Sequence, residues 1–340
     1  MSRKNRILEI DTSPHIATGA SVEKIMRNVV YALLPVCAFS VYVFGLTALI
    51  TLIAATASCL LTEYLLCRWN GRASTLGDWS IAITGILYGL TLPPGLPVWM
   101  VVLGGVAGVG VGKFLFGGLG YNAFNPALVG RAFLQAAFPV AMTTWYPAMG
   151  SDRFNVVPSS TFTLPFASPS YDVVSGATPL AAMKFDGDLT AATDLVMGLT
   201  SGSTGETSAV LVILGGLYLV ARKMMNWRIP VSILATVAIL SAVFHLLDPA
   251  AYPDPVFMLF AGGLMLGAWF MATDMVASPM TGRGCMLYGI LIGVLVVVIR
   301  LWGGMPEGVM YAILFANAVS PHIDTLVRPK VYGTTKPEAS

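Results

Sequence analysis

The sequence predicts an all-α polytopic membrane protein, with about ten transmembrane helices in two inverted five-helix halves and a long extracytoplasmic loop between them. Three observations carry this. Hydrophobic residues make up 56% of the 340 and charged residues only 11%, less than half the roughly 25% of a soluble domain. Apolar segments approaching the ~20 residues of a membrane span recur along the chain. Lys and Arg crowd the connections on one side of those segments. So few charges could not clothe a soluble protein of this size. The high hydrophobicity excludes disorder, and 35 glycines and 21 prolines without a G-X-Y period exclude collagen. A net charge of +2 gives no basic stripe for nucleic acid.

Residues 1–27 are basic and polar with no apolar core, so they read as a cytoplasmic tail and not a signal peptide. The first transmembrane half, 28–140, holds candidate spans at roughly 28–44, 46–67, 79–92, 98–116 and 125–140. Residues 141–206 form a loop rich in Ser, Thr, Pro and Gly, and a loop this long is usually functional. The second half, 207–320, holds spans at roughly 207–221, 229–247, 256–272, 285–302 and 307–320, and 321–340 is a second cytoplasmic tail. The third, fifth and tenth spans are short, as helices are that break inside a bilayer and line a site. With the N-terminus inside, only Arg153, Lys184 and Arg300 of the 19 Lys and Arg fall outside, and Arg131 falls within a span. Both termini are therefore expected in the cytoplasm and 141–206 on the opposite side. Shifting the first half by about 186 positions lays Pro93 on Pro279 and Gly117-Gly118 on Gly303-Gly304. Halves with an odd number of spans must run in opposite directions.

The four cysteines, Cys37, Cys59, Cys67 and Cys285, form no C-x-x-C pair. They read as inert thiols, and neither a metal centre nor a cluster is expected. Chemistry is concentrated elsewhere. In Asp172-Val173-Val174-Ser175-Gly176-Ala177-Thr178-Pro179 a hydroxyl follows small residues, Gly176 lets another group approach, and Asp172 could orient a metal or help take the hydroxyl proton. The plain alternative is a Ser/Gly turn. In Gly117-Gly118-Leu119-Gly120-Tyr121-Asn122-Ala123-Phe124-Asn125-Pro126, Asn125 and Pro126 start a helix. Asn122 and Asn125 offer amides to a polar ligand, or simply serve that helix start. Arg131, two turns on, needs a partner or water. Ser203 and Glu206 have capping-box spacing before an apolar run. Asp274, near the inner end of the eighth span, and Glu63, in the second, are intramembrane acids. Such acids bind cations, relay protons or pair with an arginine. Glu307 suits the first turn of the tenth helix.

These segments resemble one family throughout: that of the B subunit of the Na⁺-pumping NADH:quinone reductase and the D subunit of the Rnf complex. S-G-A-T with Asp172 six before the threonine is similar to the flavinylation motif of bacterial redox pumps, with Val174 where a small or hydroxyl residue often stands. G-G-x-G-x-N-x-x-N-P-A-L, G-E-T-S, M-A-T-D and Ala316-Asn317-Ala318-Val319-Ser320-Pro321-His322-Ile323-Asp324 follow in family order. The length and short N-terminal tail fit the Rnf member of the family better. The resemblance implies FMN joined to the Thr178 hydroxyl through its phosphate by a flavin transferase, with Asp172, Ser175, Gly176 and Ala177 as the surrounding motif. It implies a non-covalent riboflavin beside Asn122 and Asn125. It also implies an ion-translocating ferredoxin:NAD oxidoreductase of the bacterial cytoplasmic (inner) membrane, in which this chain carries electrons among flavin and iron–sulfur subunits. Such a chain would be an electron-transport and translocase subunit, incomplete as an enzyme alone, with no catalytic side chain of its own. The cation would be Na⁺ or H⁺, with Asp274 and then Glu63 as candidates for its path. Other classes fit the bare bundle: a flavin-free transporter or channel, or a structural scaffold subunit.

Overall fold

A computed structural model describes residues 21–72, 75–165, 167, 176–206, 208–249 and 251–328. The described residues fold into helices and connecting turns, with no strand among them. Helix α1 (Val22–Phe44) starts on Ser21, whose side chain accepts from the Lys24 amide. It stops at Gly45, where φ is +70° and an added Cβ would lie 2.0 Å from the Arg153 carbonyl oxygen, so only glycine fits this corner. Helix α2 (Leu46–Trp69) follows at once. Then come α3 (Ser80–Leu90), α4 (Val98–Val109) with a π-helical turn at Gly110–Phe114, and α5 (Pro126–Ala137). The connecting region carries α6 (Pro139–Met142), α7 (Pro179–Ala181) and α8 (Ala192–Met197). The second set is α9 (Ala209–Ala221), α10 (Arg228–Leu247), α11 (Pro255–Phe260), α12 (Leu264–Leu266) running into a π-helical turn at Gly267–Met271, α13 (Gly282–Trp302) and α14 (Val309–Leu326).

Helices α1, α2, α10 and α13 are long and apolar enough to cross a membrane. At 1.5 Å per residue they reach about 30 Å or more, the thickness of a hydrocarbon core. Ser80–Leu90, Val98–Phe114 and Ala209–Ala221 are shorter apolar helices. The fold is thus that of an all-α polytopic membrane protein, and each helix of the two sets lies within or beside an apolar segment read from the sequence. The packing repeats between the sets: α2 packs on α3 and α4, and α4 on α5; α10 packs on α11 and α13, and α13 on α14. Contacts of α1 with α9 and of α5 with α14 join the two sets over one continuous apolar core.

Three local expectations change. The eighth span is broken, because Gly262 (φ +65°) and Gly263 separate α11 from α12. The tenth is not short, since α14 has 18 residues. Ser203 does not cap a helix. Ser208 caps α9, accepting from the Leu211 amide, while the Ser203 hydroxyl donates to Glu206 Oε1 at 2.8 Å. The turn they close has another use. Helix α3 ends inside the protein, where its last carbonyls need donors. The Thr204 hydroxyl donates to Gly89 O, the Thr204 amide to Leu92 O and the Gly205 amide to Leu90 O. An added Cβ at Gly205 would sit 2.7 Å from Leu90 O, so glycine is required there too.

Candidate functional site

Thr178 is the N-cap of α7: its Oγ1 accepts from the Ala181 amide at 3.2 Å. Pro179 at the first helical position suits that start. The segment is held on both flanks. The Gly176 amide donates to Trp145 O at 3.0 Å, and Leu180 packs with Leu195, Phe257 and Ala261 in a small separate apolar cluster. Beyond α7, Lys184 Nζ donates to the carbonyls of Arg300, Gly303 and Met305 at 3.0, 2.5 and 3.2 Å. Those are end-of-helix carbonyls of α13 and the turn after it, where a cation is favoured. Thr178 is 1% exposed, and with Gly176 and Ala177 it forms part of the wall of a cavity of about 620 Å³. Asp172 and Ser175, the rest of the motif, lie outside the described residues.

The lining of the same cavity also carries charge, from Arg131, Arg300 and Glu307. Arg131, buried on α5, pairs through Nη2 with Glu307 Oε2, so its partner is neither Asp274 nor Glu63. Glu307 is not in the first turn of the tenth helix as expected, since α14 begins at Val309 after Gly308; Arg131 engages it instead. Arg300, which the basic-residue count puts in an outside segment, is fully buried: its Nη1 and Nη2 donate to Met258 O and Ala261 O, at 2.5 and 2.8 Å. Those carbonyls are freed by the break between α11 and α12, so the guanidinium supplies the donors that the broken helix lacks. Ser203, holding Glu206, also lines the cavity.

A second pocket, of about 110 Å³, lies where the turn before α5 meets the segment after Met271. Asn125 caps α5 by accepting from the Ala127 amide at 3.0 Å, as its position before Pro126 predicts, and its Nδ2 donates to Met271 O at 3.1 Å. Asn122 Nδ2 donates to Phe124 O at 3.2 Å and to Asp274 Oδ2 at 3.3 Å. Two segments 152 residues apart in sequence, both singled out for chemistry, therefore meet. Lys113 lines the same pocket and donates to both oxygens of Glu63, at 2.9 and 2.8 Å, and to Ser80 Oγ at 2.8 Å. Glu63 is thus a buried, paired carboxylate.

Comparison with known proteins fits this arrangement. The profile described as the NQR2, RnfD, RnfE family matches residues 9–333. The chain belongs to this family. It is 40% identical to the D subunit of the proton-translocating ferredoxin:NAD⁺ oxidoreductase complex of Clostridium ljungdahlii, over 98% of each chain. It is 39% identical to the D subunit of the Na⁺-translocating ferredoxin:NAD⁺ oxidoreductase complex of Acetobacterium woodii, over 97% of this chain and 96% of that one. The D subunit of the ion-translocating oxidoreductase complex of Halorhodospira halophila is 39% identical over 96% of each. Two relatives of nearly equal likeness are named for different cations, so family membership does not choose the ion. Both pockets lie within the matched residues.

Sequence reasoning missed Lys113, Lys184 and Arg300. Lys113 and Arg300 each sit at the end of an apolar run, which reads as an interfacial charge. The signal for Lys113 was an acid, Glu63, at matching depth in the neighbouring span. For Arg300 it was the Gly262-Gly263 pair that breaks the facing helix.

Proposed function

We propose that this chain is the membrane-embedded, electron-carrying D subunit of an ion-translocating ferredoxin:NAD oxidoreductase of the Rnf type, bearing FMN esterified through its phosphate to Thr178. The supporting observation is a single one: the Thr178 hydroxyl lies on the wall of a cavity of about 620 Å³ that also holds Arg131 and Arg300. The volume is in the range of small-molecule sites, ~300–1,000 Å³, and buried guanidinium groups suit a ring that gains negative charge. When bound, the flavin supplies one- and two-electron redox chemistry that no side chain here can supply. The chain's part is to fix the point of attachment, exclude water and set the local charge. Lys184 and the small cluster around Leu180 hold the attachment segment in place.

The same reading puts the chain in a bacterial cytoplasmic membrane with both termini cytoplasmic and 141–206 outside, where a flavin transferase acts. Its partners are the flavin and iron–sulfur subunits of the complex. Asp274 is the candidate for the path of Na⁺ or H⁺. Glu63 could join that path only by leaving Lys113. The riboflavin implied beside Asn122 and Asn125 does not fit the described conformation. That pocket is well under ~300 Å³, and the amide nitrogens of both side chains are already engaged. A flavin there requires the Asn122–Asp274 contact to open.

Fluorescence of denaturing gels tests the main assignment. The chain matured with its flavin transferase should give a fluorescent band, and Thr178→Ala should not. A fluorescent Thr178→Ala band would move the flavin elsewhere, and dark bands in both would favour a flavin-free transporter or a scaffold.

A further inference from the structure

Three residues lining the cavity of about 620 Å³ each carry a buried side-chain atom with no hydrogen-bond partner among the described residues: Arg131 Nε, Arg300 Nε and Glu307 Oε1. Several hydroxyls of the same lining are already spent. Thr91 donates to Tyr88 O, Thr143 to Pro139 O and Ser203 to Glu206 Oε1. Arg300 is anchored through both terminal nitrogens to Met258 O and Ala261 O, so it adds a fixed positive charge.

The Arg131–Glu307 pair is unusual. An arginine and a carboxylate frequently meet through two parallel bonds. These two meet through one contact, Nη2 on Oε2. That leaves Nε on one partner and Oε1 on the other, and a buried polar atom without a partner is costly. Neither side chain is a loose surface group, with side-chain exposures of 10% and 19%. A guanidinium only donates and an ionised carboxylate only accepts. The three leftover atoms are therefore two donors and one acceptor. An imide edge, C=O, N–H, C=O, offers the complement: two acceptors and one donor. The pyrimidine edge of an isoalloxazine ring is such an imide, with N3–H between the C2 and C4 carbonyls.

Resting on the assignment of FMN to this cavity, we propose that the Arg131–Glu307 pair is the receptor for the pyrimidine edge of the flavin ring, with Glu307 Oε1 accepting from N3–H and Arg131 Nε donating to a carbonyl beside it. The ester to Thr178 then fixes the tail of the group, and the ion pair fixes the ring. The pair keeps its own Nη2–Oε2 contact, so each buried charge stays compensated with or without the ring. Selectivity follows, because a site built to hydrogen-bond an N–H rejects an analogue that lacks it.

Lumiflavin, the ring without its tail, and N3-methyl-lumiflavin test this without the ester. Fluorescence titration of the full chain carrying Thr178→Ala, purified in detergent, should show lumiflavin binding. The N3-methyl ring should bind about tenfold or more weakly, as expected for loss of a hydrogen bond to a charged group. Adding Arg131→Met and Glu307→Met to that chain removes both charges together and keeps the bulk. This variant should bind the two rings alike. A penalty that persists in it comes from bulk alone and overturns the site. Equal binding of the two rings to the Thr178→Ala chain, or no binding of lumiflavin, overturns it as well. Arg131→Lys in the same chain keeps a positive charge beside Glu307 and serves if the double methionine variant fails to fold. It removes the Nε donor, so lumiflavin should bind several-fold more weakly while the N3-methyl penalty remains. Unchanged lumiflavin affinity in Arg131→Lys overturns the donor role of Arg131. Failure of the FMN assignment reads differently. A wild-type chain without covalent flavin whose Thr178→Ala form still discriminates the rings refutes the ester and keeps the receptor, and a flavinylated wild type without that discrimination does the reverse.

Discussion

Replacing Lys113 with methionine should be among the most damaging single changes in the protein. Lys113 is 4% exposed and Glu63 3%. Lys113 supplies both carboxylate oxygens with a donor, and the hydroxyl of Thr75 supplies one of them. Ser80 accepts from Lys113 and donates to Asp78, so the network ties α2, the start of α3 and the π-helical turn after α4. Breaking a buried pair by removing one partner costs about 3–5 kcal/mol, because the other charge stays buried without compensation. At ~1.4 kcal/mol per tenfold, that is a change of more than a hundredfold in the folded-to-unfolded ratio. Removing both charges together is far milder, since the desolvation penalty goes with the pair. Denaturant titration in detergent of wild type, Lys113→Met, Glu63→Gln and the double variant closes the cycle. The expected result is a severe loss in Lys113→Met and recovery of most of it in the double variant, a coupling of several kcal/mol. A Lys113→Met cost below about 1 kcal/mol, in the range of surface pairs, would refute the argument. So would a double variant as weak as the sum of the two single ones.

Lys184→Ala should free the segment carrying Thr178 by removing three bonds to end-of-helix carbonyls. At roughly 1.5 kcal/mol for a charge-assisted bond, thiol labelling of a Thr178→Cys chain should speed up about tenfold or more, and equal rates would contradict the latch. Gly205→Ala should destabilise by about 1–3 kcal/mol, because its Cβ would press on Leu90 O and Leu266; thermal unfolding reads the loss. Glu206 is raised from an ordinary 4.5 to about 8, chiefly by burial, so between those values the folded chain binds a proton that the unfolded chain does not. Its stabilising effect is full below about 4.5 and is lost as pH rises through about 8. Thermal midpoints of wild type should therefore fall more steeply toward alkaline pH than those of Glu206→Gln, and matching slopes would exclude the effect.

The bundle was legible because bilayer physics leaves few choices. Long apolar runs and an asymmetry of basic residues specify spans and order with little help from tertiary detail. Asn125-Pro126 was legible for the same reason, since capping is local. The meeting of Asn122 with Asp274 was not, because it depends on how two distant turns pack. The pairings Arg131–Glu307 and Lys113–Glu63 were hidden likewise: sequence flagged Arg131 and Glu63 as intramembrane charges but could not match them to partners across helices. The burial of Arg300 was not legible because a helix-end arginine looks interfacial. Only the facing break at Gly262-Gly263 draws it inward. Ser203 and Glu206 have the spacing of a capping box, yet their turn serves the end of α3, a contact with no local signature.

The most direct measurement is the mass of the proteolytic peptide containing Thr178, taken from the chain matured in its own membrane. A peptide heavier by one esterified FMN, with fragmentation placing the added mass on Thr178, is the predicted result. An unmodified Thr178 peptide at full occupancy would contradict the electron-carrying role.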